Sequence, residues 1–357
     1  MTKLIHTGDL HIGKSRGLRG YLERQDLMLR EIFRAASEHS DGLVVIAGDV
    51  YDCLELLPRE KDLFVEHLCR ADRDGLTTII VSGNHDMIDE DDGGYTHLRG
   101  LKLAAEARRL KNTHIFETEP ASFVPTKFPN LSVIAVPSHY RQTKEVNKII
   151  KQHLKLLHQA DDLHDQVLAV VHETILGAKN DFGKRMGVDF GDPEHCVTLD
   201  ADLPVTYWAL GDIHRPQRIK NVHNAWYCGC PIQHDFGDSG DRGVLLVDLD
   251  NPTHPELIEL KAIKKLVTVE VTSSTKPDEI SRNDAHVRLV GRREYIKPLQ
   301  AQCSNVVSTK PVRSEDVEVI EDVKVADVLR GLPEILADMG LSPKDQQWCL
   351  TEAEHYR

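Results

Sequence analysis

The chain has 357 residues and carries 44 Lys+Arg against 57 Asp+Glu, a formal charge of −13 with 19 His counted neutral. Hydrophobic residues make up 40% and charged residues 28%, a balance that excludes wholesale disorder, collagen-like repeats and a disulfide miniprotein. At about 150 residues per domain the length predicts two domains, or one large domain with an appendage. The acidic total argues against a surface that grips nucleic acid everywhere, though not against a local basic groove or a metal site that neutralises phosphate itself.

The longest apolar runs, such as Leu43–Ala47, are strand-sized, far below the roughly 18–20 residues of a membrane span. The seven Cys are scattered and odd in number, which fits a reducing compartment better than a disulfide framework. The residues after Met1 turn polar without a signal-peptide core, so a cytoplasmic location is expected.

The first two-thirds alternates short buried strands with helical patterns. Leu4–Thr7 reads as a strand, Gln25–His39 as a helix with Leu27, Leu29, Ile32, Phe33 and Ala36 at helical spacing, and Leu43–Ala47 as a second strand. Pro58–Cys69 suits a helix with Pro in its first turn, and Thr77–Val81 is a third strand. Further strands are expected at 131–136, 167–171, 205–210, 225–228, 243–247 and 257–260, with a helix over Thr143–His158. This is an α/β layered domain with a mixed sheet. After about Lys264 the texture changes: strands at 266–271 and 286–289, an acidic stretch Ser314–Asp322, then helices over Val325–Met339 and Pro343–Tyr356.

Five polar clusters stand at or just past strand ends: Gly8-Asp9-Leu10-His11, Gly48-Asp49-Val50-Tyr51-Asp52, Gly83-Asn84-His85-Asp86, Val171-His172-Glu173 and Gly211-Asp212-Ile213-His214. Ligands in such folds bind at strand carboxyl ends. A preceding Gly lets a tight turn aim a side chain back over the sheet edge. Mixed Asp, His and Asn donors suit borderline divalent ions such as Mn²⁺, Fe²⁺ or Zn²⁺. Two ions about 3.5–4 Å apart can clamp a phosphate and activate a water, and Asp49 is the choice for a carboxylate bridging them. Asp52 is read as pinning its own turn. Cys228 and Cys230 read as small residues near a turn, with a soft-metal site as the alternative.

The pattern Asp9-x-His11, Gly48-Asp49-x-x-Asp52, Gly83-Asn84-His85-Asp86, His172 and Gly211-x-x-His214 resembles the calcineurin-like metallophosphoesterase superfamily. Within it the chain most resembles the SbcD-type nuclease subunits that process DNA ends, including phage versions. The run Tyr227-Cys-Gly-Cys-Pro231-Ile-Gln, then Phe236-Gly-Asp and Arg242-Gly-Val-Leu-Leu-Val, is similar to that family's Tyr-x-Gly-Ser-Pro segment and closing strand. The resemblance covers about residues 1–250.

It implies an α/β/β/α metallophosphoesterase (nuclease) domain over residues 1–262, a small DNA-capping domain over 263–325, and C-terminal helices over 326–357 that bind an SbcC-type ATPase. It implies two divalent ions, Mn²⁺ with Mg²⁺ as the alternative. Asp9, His11 and His214 would hold one ion, Asp49 would bridge, and Asn84, His172 and Asp212 would hold the second. His85 would act at the scissile phosphate, with Asp86 orienting it. The family's last motif reads Gly-His-x-His, so Asp212 replaces an imidazole, and it either ligates as a carboxylate or points away. A homodimer is also implied.

Basic residues beside the motifs are candidate phosphate contacts: Lys14, Arg16 and Arg19 after the first, Arg215 and Arg218 after the last. Arg292, Arg293 and Lys297 are further candidates in the capping segment, and the apolar set Leu332, Ile335, Leu336, Met339, Trp348 and Leu350 is the candidate partner surface. The expected activity is a DNA exonuclease with single-strand endonuclease activity, serving recombination, repair or phage DNA processing. The alternatives are a small-molecule phosphodiesterase of the same fold and a non-catalytic scaffold.

Overall fold

The computed structural model describes residues 2–52, 55–89, 95–107, 109–138, 145–238 and 240–312. The expected C-terminal helices, the acidic stretch 314–322 and most of the acidic run 89–92 lie outside the described residues.

Strands β1 (Lys3–Thr7), β2 (Leu43–Ala47), β3 (Thr77–Val81), β4 (Met87–Asp89), β5 (Tyr95–Thr96), β6 (Thr113–Phe116), β7 (Ala121–Phe123), β8 (Leu131–Val136) and β9 (Gln166–His172) come from the first half. They are followed by β10 (Tyr207–Gly211), β11 (Gln217–Arg218), β12 (Ala225–Tyr227), β13 (Val244–Asp248) and β14 (Glu256–Ile258), then β15 (Lys265–Val271), β16 (Ala285–Arg292) and β17 (Val306–Val312). The helices are α1 (Tyr21–His39), α2 (Pro58–Arg73), α3 (Arg99–Glu106), α4 (Val146–Gln159), α5 (Pro277–Ser281) and α6 (Arg293–Gln302).

Two six-stranded sheets stack face to face, ordered β14-β13-β1-β2-β3-β6 and β11-β12-β10-β9-β8-β7. Alternation along the strands explains the layering. Val45 and Ala47 of β2 point into the space between the sheets with Val133, Val170 and Ala209. Val44 and Ile46 point outward, where Met28, Leu29 and Ile32 of α1 and Phe64 and Leu68 of α2 cover them. The second sheet carries α4 on its outer face through Ile150, Leu154 and Leu157. This is the expected α/β/β/α arrangement of mixed sheets. Helix α1 turns Met28 to the core, while its neighbour Leu27 is only half-buried.

β1, β2 and β3 run parallel in one sheet, and β9 and β10 run parallel in the other. Their carboxyl ends bring five separated sequence clusters to one rim.

The small C-terminal sheet, β15-β16-β17, is wholly parallel, with α5 and α6 as its crossovers. Its core is Val271, Ile280, Val287, Leu289, Ile296 and Leu299. Helix α6 was not legible in the sequence because Pro298 sits inside it, and proline reads as a helix breaker. Gln233 ties the unit to the main domain: its amide oxygen accepts from Leu266 N–H at 2.8 Å and its amide nitrogen donates to Leu266 C=O at 3.4 Å. Arg24 donates to the carbonyls of Lys264 and Gln233. Among the described residues, no helix is long and apolar enough to cross a membrane.

Candidate metal centre

Asp9 and His11 follow β1, Asp49 follows β2, Asn84 and His85 follow β3, His172 ends β9, and Asp212 and His214 follow β10. The turns that present them are bent into a conformation that side chains disfavour. Asp9, His11, Asp49 and Asp212 have φ of 49°, 44°, 51° and 100°. Left-handed residues other than glycine persist where the surrounding structure over-determines them, often at functional sites. Two glycines allow the close approach. A Cβ on Gly48 would lie 2.0 Å from His172 Nδ1, and one on Gly211 would lie 1.7 Å from the Ala47 carbonyl oxygen.

Three imidazoles turn their Nε2 atoms inward, each with an oxygen atom near its Nδ1 on the far side. His172 Nδ1 donates to the Ala47 carbonyl at 2.7 Å. His11 Nδ1 lies 3.1 Å from the Asp52 carboxylate, and His214 Nδ1 lies 3.5 Å from that of Asp181. In front, His11 Nε2 and His214 Nε2 are 3.0 Å apart, and His172 Nε2 is 3.0 Å from Asn84 Oδ1. Asp49 stands between the two pairs, with Oδ2 3.6 Å from His11 Nε2 and Oδ1 3.5 Å from His172 Nε2.

The donor groups cluster as Asp9–Asp49–His172, His11–His214–Cys230 and His11–Asp52–His85. The resemblance groups Asp9 with His11 and His214, whereas the donor atoms gathered around it here are those of Asp49 and His172. Asp212 N–H donates to Asp9 Oδ1 at 3.0 Å. Asp9 Oδ2 is buried without a hydrogen-bond partner.

Burial alone would push His172 down, but the carboxylates of Asp49, Asp9 and Asp212 raise it to about 9. Burial raises Asp49 and Asp9 against the pull of His172. These shifts agree: a dry cluster with surplus negative charge holds a proton more tightly than water would. His11 is pushed well below its usual value by burial and then by Lys14 and the other imidazoles, which keeps it neutral, the form that binds metal. Converging lone pairs, an orphaned carboxylate oxygen and a neutral imidazole fit divalent cations.

Among the described residues, Asp212 belongs to none of these donor groups; its carboxylate accepts from the Thr174 hydroxyl. Asp86 differs from expectation. Its Oδ2 accepts from Val50 N–H and Gly83 N–H and its Oδ1 from Tyr51 N–H. It ties the second motif loop to the third, and the His85 ring is oriented instead by its Nδ1–H donating to the Asp52 carbonyl at 2.9 Å. His85 is exposed and packs edge-on to His11, with ring centroids 4.9 Å apart. Asp52 therefore does more than pin its own turn.

Of the basic residues, Arg16 is committed to Glu60, with Nε 2.8 Å from Oε1, and to the Glu55 carbonyl. That corrects its reading as a phosphate contact. Lys14 lies 3.4 Å from Asp52, while Arg19, Arg215 and Arg218 are exposed. Sequence reasoning missed Asp181 and His234. His234 is buried against His11 and bonds the Asp9 carbonyl. Asp181 comes from a loop with no motif to mark it, and His234 directly follows the Tyr227–Gln233 run but is not part of its pattern. Cys230, read as a turn residue, is buried beside His11 and His214, and burial raises its thiol well above the usual range.

The chain is similar to the SbcD component of the SbcCD nuclease of Bacillus subtilis (strain 168), 26% identical over 266 residues, which cover 69% of this chain and 66% of that protein. It is similar to the SbcD component of the SbcCD nuclease of Escherichia coli (strain K12), 24% identical over 278 residues, 70% of this chain and 65% of that one. It is also similar to the DNA double-strand break repair protein Mre11 of Methanopyrus kandleri, 23% identical over 294 residues, 78% and 62% of the two chains. The matches span just under two thirds of the length of these three relatives. The family model for calcineurin-like phosphoesterases matches residues 2–216, a stretch that contains every strand-end cluster described above, and the chain belongs to that family.

Proposed function

We propose that the chain is a DNA nuclease subunit that hydrolyses phosphodiester bonds at DNA ends with two divalent metal ions, working with an SbcC-type ATPase. The observation that carries this reading is Asp49 standing between the His11–His214 pair and the His172–Asn84 pair, with a carboxylate oxygen toward each. On the SbcD resemblance Asp9, His11 and His214 would hold one ion and Asn84 and His172 the other, with Asp49 placed between the two sets and the Asp212 carboxylate available to the second. Mn²⁺, or Mg²⁺ as the alternative, would when bound there supply Lewis-acid charge and lower the pKa of a bound water.

The side chains do the rest. His85, exposed above the cluster, carries a proton on Nε2 to the leaving oxygen while its Nδ1–H stays on the Asp52 carbonyl. Asp86 keeps the second and third loops in register. Arg19, Arg215 and Arg218, all exposed, contact backbone phosphates without reading sequence. The small parallel sheet, fixed by Gln233 and Arg24, forms the wall that positions DNA over the cluster. The homodimer and the ATPase contact through residues 326–357 rest on the SbcD resemblance.

The test is digestion of end-labelled duplex DNA with Mn²⁺, with and without the ATPase partner and ATP, alongside bis-p-nitrophenyl phosphate. His85→Ala should lower DNA cleavage by about 10²–10⁴-fold with Mn²⁺ binding retained. Turnover of the small ester with no DNA cleavage under any condition would replace this reading with a small-molecule phosphodiesterase. Absence of divalent-ion binding would favour a scaffold.

A further inference from the structure

His11 and His214 face each other, and each has a carboxylate behind it. For His11 that carboxylate is Asp52, from the second motif. For His214 it is Asp181, in the loop after β9, which no motif marks.

The arrangement around Asp181 is built. Its Oδ2 lies 3.5 Å from His214 Nδ1, and its Oδ1 lies 3.3 Å from Arg242 Nη2. Arg242 is buried, and its Nη1 donates to the backbone carbonyl of His214. One guanidinium thus holds both the carboxylate and the main chain of the histidine, which fixes one relative to the other. The loop itself is braced next to Asp181: Asn180 Oδ1 accepts from the N–H groups of Phe182 and Lys184, each at 3.0 Å.

We infer that Asp181 is a positioning residue of the metal centre. Its carboxylate keeps the proton of His214 on Nδ1 and the Nε2 lone pair aimed at the ion, with Arg242 as its brace. Outer carboxylates of this kind orient a metal-binding imidazole and raise its basicity, and their loss typically weakens metal binding 10–100-fold. The inference rests on His214 being a metal ligand.

The experiment is calorimetric titration of the metal-stripped full-length chain with Mn²⁺. Asp181→Ala should weaken one binding event by roughly 10–100-fold. Asp181→Asn, which keeps the shape and one acceptor oxygen, should lose less, and it decides the matter should the alanine variant fail to fold. Asp189→Ala breaks the Arg185–Asp189 pair on the same loop and should leave Mn²⁺ affinity unchanged. In a His214→Ala background, Asp181→Ala should cost no further affinity.

Unchanged affinity in a folded Asp181→Ala protein would overturn the inference. So would an equal loss in Asp189→Ala, which would mean that loop order matters and the carboxylate does not. Wild-type chain that binds no Mn²⁺ would overturn both this inference and the two-ion reading, whereas wild-type binding with unaffected Asp181 variants removes this inference alone.

Discussion

His11 Nε2 and His214 Nε2 meet at 3.0 Å although 203 residues separate them in the chain. With each ring proton on Nδ1, toward the carboxylate behind it, the two Nε2 lone pairs face each other with no hydrogen between them. A cation between them would take up both lone pairs, and a cation at the Asp9–Asp49–His172 group would partner the buried Asp9 Oδ2. Stripping divalent ions with a chelator should therefore lower the melting temperature as well as the activity. Mn²⁺ at 100 times its dissociation constant should restore about 2.7 kcal/mol of stability. Identical melting curves with and without Mn²⁺ would show that the folded chain does not bind it.

Gly211→Ala tests how tightly the two sheets close on the site. The added Cβ would lie 1.7 Å from the Ala47 carbonyl oxygen and 2.7 Å from His172 Nδ1. Neither neighbour has room to move, because the His172 Nδ1–Ala47 O hydrogen bond joins them. The expected cost is about 1–3 kcal/mol or more, read by urea denaturation, with a loss of bound Mn²⁺. A stable Gly211→Ala protein that binds metal normally would refute the close approach of β10 to β2.

Arg16 and Arg215 should part company. The Arg16 guanidinium holds a fully buried Glu60, which also accepts from Tyr21. Arg16→Ala should destabilise the fold by about 1–3 kcal/mol and leave the salt dependence of DNA binding alone. Arg215→Ala should do the reverse, reducing the salt slope by about 1. Burial would raise the Glu60 pKa, but Arg16, the Leu57 N–H and Tyr21 together hold it below its usual 4.5. Its contribution is thus complete above about pH 4.5 and disappears as the pH falls through the lowered value. Equal acid denaturation of Glu60→Gln and wild type would contradict this.

His6 gives a pH dependence of opposite origin. Burial pushes its pKa down from 6.5 to about 3, while Nδ1 bonds the Tyr207 hydroxyl at 3.0 Å. The unfolded chain takes up a proton below about pH 6.5 that the folded chain refuses until about pH 3. Stability is therefore full above pH 6.5 and declines between those values. His6→Gln, which cannot titrate, should lose about 2–3 kcal/mol less than wild type between pH 7 and pH 4.5. Parallel losses in the two proteins would show that His6 is not held neutral.

Much of this molecule could be read directly from its residues. β2, β3 and β8 fall where the apolar runs place them, because a strand buried on both faces has no alternative but continuous hydrophobicity. The strand-end clusters were legible because a turn that carries Gly followed by Asp, Asn or His is short enough for its chemistry to lie within one motif. What lies between motifs was not. Asp86 and Arg16 look like site residues by position, yet their partners are backbone N–H groups and Glu60 respectively, whereas Asp52, read as pinning its own turn, lies against His11. Asp181 carries no motif, yet the fold sets it behind His214. Sequence by itself marked which side chains could hold a metal, since that depends on residue type and local turn. Tertiary structure alone decided which oxygen faces which nitrogen, since those contacts join loops hundreds of residues apart and are fixed by how the two sheets stack.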